Sequence, residues 1–193
     1  MKTIGITGNP GSGKSTVARI FNTLGIPHFN ADEAGHRVYE YPEIRSEVVA
    51  LLGSEAYDAE GHHRRKFIAD SVFDHPVLLQ ALSAIIHPAV QNDFQMWRKR
   101  QTSHYVLKEA AILFEVGTHL TTHGVILVKA PKQLRLLRTV ERSGWSEKEF
   151  ELREARQWTE EKKETFSRWC IHNDEQKALI PQVLDVHRQI LEL

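Results

Sequence analysis

Residues 3–16 read Thr3-Ile4-Gly5-Ile6-Thr7-Gly8-Asn9-Pro10-Gly11-Ser12-Gly13-Lys14-Ser15-Thr16. From Gly8 onward the spacing is that of a phosphate-binding loop: glycine, four residues, Gly13, Lys14 and the hydroxyl of Ser15. Gly8, Gly11 and Gly13 permit backbone conformations that a side chain blocks. Their N–H groups then turn inward as a nest for an anion. Lys14 supplies a compact positive charge for the β- and γ-phosphates, and Ser15 offers an oxygen ligand to Mg2+. Asn9, Ser12 and Thr16 complete the phosphate-binding stretch, together with Pro10, which has no N–H to donate.

The flanks agree with the loop. Thr3–Thr7 is a short buried strand by its composition. Val17, Ile20, Phe21 and Leu24 recur at helical spacing, and Gly25 is a stop. Strand, loop and helix in this order bring a helix N-terminus, with its partial positive charge, to the phosphates. The competing reading is a glycine-rich turn that binds nothing.

With 193 residues the chain suits one substantial core with smaller attached pieces. Hydrophobic residues make up 41% and charged residues 26%, as in ordinary globular proteins. Lysine plus arginine and aspartate plus glutamate both total 25, so no global basic field points to nucleic acid. The single cysteine, Cys170, cannot form an internal disulfide, which suits a reducing cytoplasm. No apolar run is long enough for a membrane span, and the N-terminus does not read as a signal peptide. A cytoplasmic monomer or weak homo-oligomer, with neither nucleic acid nor membrane as partner, is the expectation.

Beyond the first helix, Ile26-Pro27-His28-Phe29-Asn30 reads as a second strand. In open parallel sheets ligands bind beyond the carboxyl ends of the strands, which puts Asp32 near the phosphate loop. Asn30 and Asp32 also suit a helix cap; capping is favoured for Asn30 and chemistry for Asp32. Residues from about 33 to 101 carry little strand signal and read as an inserted helical part. Within it Leu78, Leu82, Ile85 and Ala89 form one stripe, and His87-Pro88 predicts two helices meeting at a kink. His62-His63-Arg64-Arg65-Lys66 is either a solvated basic patch or an anion site.

Tyr105-Val106-Leu107 reads as a strand leading to Glu109. That carboxylate is either a magnesium-side group or a solvent-facing charge. Val125–Val128 is a continuous apolar run, as central parallel strands are. Pro131 opens a helix on which Arg135, Arg138 and Arg142 share a face, and Gly144 ends it. Ser146 and Glu149 match a capping box for the next helix. The arginine row is read as part of a mobile lid over the nucleotide, with a solvated face as the alternative. Trp169-Cys170-Ile171-His172 is the last strand, Asn173 follows it, and Leu179, Val183, Val186 and Ile190 mark a final amphipathic helix.

The expected fold is α/β: a three-layer phosphate-loop NTPase with a parallel sheet of about five strands. The core is about 1–32, 102–131 and 168–193, the helical acceptor-binding insertion about 33–101, and the lid about 132–167. Asn-Lys-x-Asp, the guanine reader of switch GTPases, is absent, and the size argues for a small-molecule kinase.

In this ordered set the chain resembles the dephospho-coenzyme A kinase family over nearly its full length. The carrying segments are Ile6 to Ala18, Leu24-Gly25-Ile26-Pro27, Asn30-Ala31-Asp32, Arg65 with Val72-Phe73, and His87-Pro88. Glu109-Ala110-Ala111-Ile112-Leu113-Phe114-Glu115, Arg138, Arg142, Gln157 and Ile171-x-Asn173 continue the series. Differences from the family pattern are Asn9-Pro10 in the loop, Asn30, Ala111, Ser143 and Ser167-Arg168. The resemblance implies transfer of the γ-phosphate of ATP to the ribose 3′-hydroxyl of dephospho-CoA. It implies catalytic roles for Lys14, Asp32 and Arg142, and nucleotide contacts from Arg138 and Asn173. Asp32, Arg65, His87 and Glu109 would serve the acceptor, and Ser15 would ligate Mg2+. Another small-molecule or nucleoside monophosphate kinase, and an ATP-binding protein without phosphotransfer, are the alternatives.

Overall fold

The computed structural model describes residues Met1–Leu193. The chain forms two compact units, Met1–Asn30 with Gln101–Leu193, and Ala31–Arg100. The strands are β1 (Lys2–Thr7), β2 (His28–Asn30), β3 (Tyr105–Glu109), β4 (Val125–Lys129) and β5 (Trp169–His172). The helices are α1 (Lys14–Thr23), α2 (Ala31–Arg37), α3 (Pro42–Leu52), α4 (Arg65–Phe73), α5 (Pro76–Arg98), α6 (Lys132–Ser143), α7 (Glu147–Glu154), α8 (Glu160–Thr165) and α9 (Leu179–Leu191). None is long and apolar enough to cross a membrane.

The first unit is a five-stranded sheet in the order β2–β3–β1–β4–β5, parallel at every pairing. β1 is the middle strand, buried from Thr3 to Thr7, and β3 is buried throughout. Strands covered on both faces are mostly apolar; here the exceptions are the buried Thr3 and Thr7 of β1 and Lys108 and Glu109 at the end of β3. Side chains of β1 alternate between the faces. Ile4 and Ile6 join a core with Val17 and Phe21 of α1 and Val183, Val186 and Ile190 of α9. Gly5 faces the other layer, where an added Cβ would come within 3.1 Å of Leu113. β2 is shorter than the Ile26–Asn30 expected. Pro27 has no N–H for the ladder, although its carbonyl still accepts from Leu107 N–H at 2.9 Å.

After β4 the chain runs through α6, α7 and α8 before returning as β5. Gly144, at φ 65°, closes α6. The capping box of α7 is reciprocal: Glu149 N–H donates to Ser146 Oγ at 3.3 Å, and Ser146 N–H donates to Glu149 Oε2 at 2.8 Å.

The second unit is helical. Val38, Ile44, Val48, Tyr57, Ile68, Val72, Leu82 and Ile86 form its core, with Leu78, Ile85 and Ala89 packed against it. The expected break at His87-Pro88 does not occur: α5 is one helix of 23 residues with Pro88 inside. A proline removes one helical N–H and strains one turn, at about 3 kcal/mol. Here Ile85 and Ile86 before it, and Ala89 and Val90 after it, belong to one packed cluster. Shared burial on both sides outweighs the local cost.

Candidate active site

The phosphate loop joins β1 to α1, and its glycines are tightly enclosed. Gly11 lies at φ 76°, and a Cβ there would collide with the Arg135 carbonyl and Thr139 Oγ1. Gly13 lies at φ 91°, and a Cβ there would strike the Asn173 amide. Both positions demand glycine by conformation and by space. Lys14 Nζ donates to the Gly8 carbonyl at 2.8 Å, so its ammonium curls over the loop.

Ser15 Oγ donates to Glu109 Oε1 at 2.7 Å. Glu109 is 2% exposed, which overturns the reading of a solvent-facing charge. Its Oε2 has no hydrogen-bond partner, and His28 Nε2 stands 3.5 Å from it. Sheet register accounts for the placement: Glu109 is paired with Ile6 on one side and Asn30 on the other. The carboxylate thus stands at the strand ends beside the start of the loop. A buried carboxylate with an open oxygen, next to a hydroxyl, is a set of hard oxygen donors of the kind Mg2+ takes.

On the other side of the loop, Asn173 follows β5. Its Nδ2 donates to the Ser12 carbonyl at 2.8 Å, and its own carbonyl accepts from Arg138 at 3.1 Å. Arg138 also pairs with Glu175 at 3.1 Å. Gly11, Gly13, Thr16, Arg138, Arg142 and Asn173 line a cavity of about 310 Å3. Arg142 is exposed, with Nε donating to Ser143 Oγ at 3.4 Å.

The arginine row divides. Arg135 is only 4% exposed. Its Nε donates to the Ala130 carbonyl at 3.0 Å, and one terminal nitrogen to the Pro10 carbonyl at 3.4 Å. It pairs with Glu154 and Glu160 and lies 5.7 Å over the Phe150 ring. Arg135 and Arg142 share a helix face, but seven residues along α6 amount to about 10 Å. Arg135 therefore falls among α7 and the start of α8 as a strut, while Arg142 stands at the cavity.

In the second unit Asp32 lies in the first turn of α2 and Arg65 opens α4; both are exposed. They act on the same histidine. Burial lowers the pKa of His36, Arg65 and His63 lower it further, and Asp32 opposes them. His63 is stacked with Tyr39 at 4.8 Å and with His36 at 6.2 Å. Its Nδ1 also bonds Glu40 Oε1, at 2.5 Å. The basic patch is thus not uniform: His63 is folded in, whereas His62, Arg64, Arg65 and Lys66 are exposed, Arg64 with its guanidinium 5.7 Å over the Phe67 ring. His87 lies on α5 just before Pro88, where burial lowers its pKa.

Two features escaped sequence reading. Asn9 is 2% exposed and uses its side chain, with Nδ2 donating to the Trp158 carbonyl at 3.4 Å. Lys163 is fully buried, although Glu160-Glu161-Lys162-Lys163-Glu164 has the look of a solvated charge run. Only the six-residue spacing from Gln157, its hydrogen-bond partner, could have hinted at it.

A protein-family model for dephospho-CoA kinase matches residues 2–178. The dephospho-CoA kinase of Porphyromonas gingivalis is 36% identical over 191 residues, covering 96% of this chain and 93% of its own. That of Thermus thermophilus is 38% identical over 170 residues, covering 88% and 82%. The crystal structure of TT1252 from Thermus thermophilus matches with a TM-score of 0.87 at 34% identity, over 99% of this chain and 96% of that one. The five-stranded parallel sheet, the phosphate loop and this agreement along the whole chain carry one conclusion: the chain belongs to the dephospho-CoA kinase family of ATP-dependent kinases.

Proposed function

We propose that the protein transfers the γ-phosphate of ATP to the ribose 3′-hydroxyl of dephospho-CoA, forming CoA and ADP, the last step of coenzyme A synthesis in the cytoplasm. The phosphoryl-transfer part of this reading is carried by the Ser15–Glu109 pair at the mouth of the loop, 2.7 Å apart with the carboxylate buried at the strand end, and the acceptor by the family to which the chain belongs. The pair supplies hard oxygen donors where a nucleotide's β- and γ-phosphates would lie.

The loop N–H groups and Lys14 hold the phosphates. Ser15 would ligate Mg2+, with Glu109 beside it helping to hold the ion directly or through water. When bound, the ion neutralises charge on the β- and γ-phosphate oxygens. Arg138, tied to the Asn173 carbonyl, borders the nucleotide, with Gly8 to Thr16 as its floor. Arg142, on the wall of the cavity above Gly11 and Gly13, offsets charge that builds on the transferred phosphoryl group. Residues 132–167 form the lid region that excludes water, with Arg142 at the cavity and Arg135 a fixed strut at its base.

Asp32 accepts or orients the proton of the acceptor hydroxyl as its oxygen attacks phosphorus. Supporting this, Asp32 follows Asn30 by two residues, and Asn30 is in register with Glu109. Arg65 and His87 contribute to holding the acceptor. The test is Mg2+-dependent phosphotransfer, read as product mass, with dephospho-CoA and AMP as competing acceptors. A gain of one phosphoryl group on dephospho-CoA, lost in Asp32→Asn, is expected. Phosphorylated AMP, or ATP hydrolysed with neither acceptor modified, would overturn the reading.

A further inference from the structure

One more cation is buried a residue or two removed from the phosphate loop. Lys163 on α8 has no exposed surface. Its Nζ donates to Gln157 Oε1 at 2.8 Å and to the Ala111 carbonyl at 3.3 Å, and it stands 3.3 Å from Glu115 Oε1. Two of these partners lead to the loop. The Ala111 carbonyl also accepts from the hydroxyl of Thr7, the residue before Gly8, at 3.4 Å. Glu115 Oε1 also accepts from Trp158 N–H at 2.7 Å. The Trp158 carbonyl in turn accepts from Asn9 Nδ2 at 3.4 Å, and its indole lies flat on Phe114, 5.8 Å away at an interplanar angle of 5°. The ammonium is therefore the hub of two routes, one ending at Thr7 and the other at Asn9, on either side of Gly8.

Stability alone does not call for such a group. A buried ion pair costs desolvation, and apolar replacement of comparable volume is often neutral or better. The lysine feels this cost: burial lowers its pKa, Glu115 opposes that, and the charge of Lys14 lowers it further. Lys163 is thus within electrostatic reach of the lysine that handles phosphate.

We propose that Lys163 is a positioning residue for phosphoryl transfer, holding the first residues of the phosphate loop to the α7–α8 connection through Glu115, Trp158 and Asn9. The proposal rests on the kinase reading above. The test is a double-mutant cycle of Lys163→Met and Asn9→Ala in the full chain, followed by steady-state kinetics and by titration with a fluorescent ATP analogue. Lys163→Met should lower kcat by about tenfold or more while KM for dephospho-CoA stays within about twofold, and the double variant should be no slower than Lys163→Met alone. A role confined to folding gives effects that multiply, and that result overturns the proposal, as does an unchanged kcat in Lys163→Met. Should Lys163→Met fail to fold, Glu115→Gln, which keeps the shape and drops the charge, takes its place in the same cycle. A wild-type protein that binds the analogue without phosphorylating dephospho-CoA sinks the acceptor assignment instead, and the cycle is then judged on nucleotide affinity, with coupling supporting the proposal and additivity refuting it.

Discussion

Arg135→Met tests whether the arginine nearest the start of α6 is a strut rather than a lid residue. Methionine fills a similar volume but removes every polar contact of the guanidinium. Left behind are Glu154 and Glu160, whose side chains are 17% and 16% exposed, and the carbonyls of Ala130 and Pro10. Removing one partner of a buried pair costs about 3–5 kcal/mol. Glu154 keeps Lys132 at 3.6 Å and both carboxylates touch solvent, so the lower end, about 3 kcal/mol, applies. For a domain of this size that lowers Tm by about 6–12 °C. Arg135→Lys keeps the charge, but one ammonium cannot span both carbonyls and both carboxylates, so about half the loss should remain. Urea and thermal unfolding by circular dichroism read both.

The pH dependence supplies a second check. Burial raises the pKa of Glu160, and the charge of Arg135 pulls it down. Without Arg135 the folded-state pKa rises further. A raised carboxylate pKa gives a stability contribution that is full below the unfolded value and lost as pH rises through the folded one. The deficit of Arg135→Met should therefore shrink as the pH falls from neutral toward the ordinary carboxylate range. A deficit at pH 7 below about 1 kcal/mol, the level of a surface ion pair, would refute the reasoning. So would a deficit that is constant with pH.

Asp32→Asn should cut turnover by about a hundredfold or more and change ATP affinity by less than about twofold; intact turnover would remove Asp32 from the chemistry. Glu109→Gln keeps an acceptor for Ser15 but loses the charge, so the Mg2+ concentration for half-maximal rate should rise by about tenfold. An unchanged Mg2+ requirement would show that Glu109 serves packing alone. Glu149 is held below its ordinary pKa of 4.5 by the Ser146 N–H and hydroxyl. Its contribution is present above that value and lost as pH falls through the folded one. The Tm gap between wild type and Glu149→Gln should therefore close in acid, and a gap that persists there would assign it to something other than the charged cap.

Much of this protein is written locally. The phosphate loop, its flanking strand and helix, and the capping box at Ser146 each depend on residues a few positions apart, so spacing alone reveals them. The apolar run of β4 announces a central parallel strand because a strand covered on both faces has little polar side to show. Resemblance along the chain then selects one reaction among those that phosphate loops serve.

Tertiary structure decided what local pattern leaves open. Glu109 could face solvent or the loop; its register with Ile6 and Asn30 buries it against Ser15. Pro88 should break a helix, yet a shared core on both sides carries α5 through it. Arg135 and Arg142 share a helical face, and only the packing of α7 and α8 makes one a strut and leaves the other at the cavity. Lys163 carries no local mark of burial, because its partners at Ala111 and Glu115 are about fifty residues away in the chain. A side chain's short-range pattern records its own element, whereas its charge environment is set by whatever the fold packs against it.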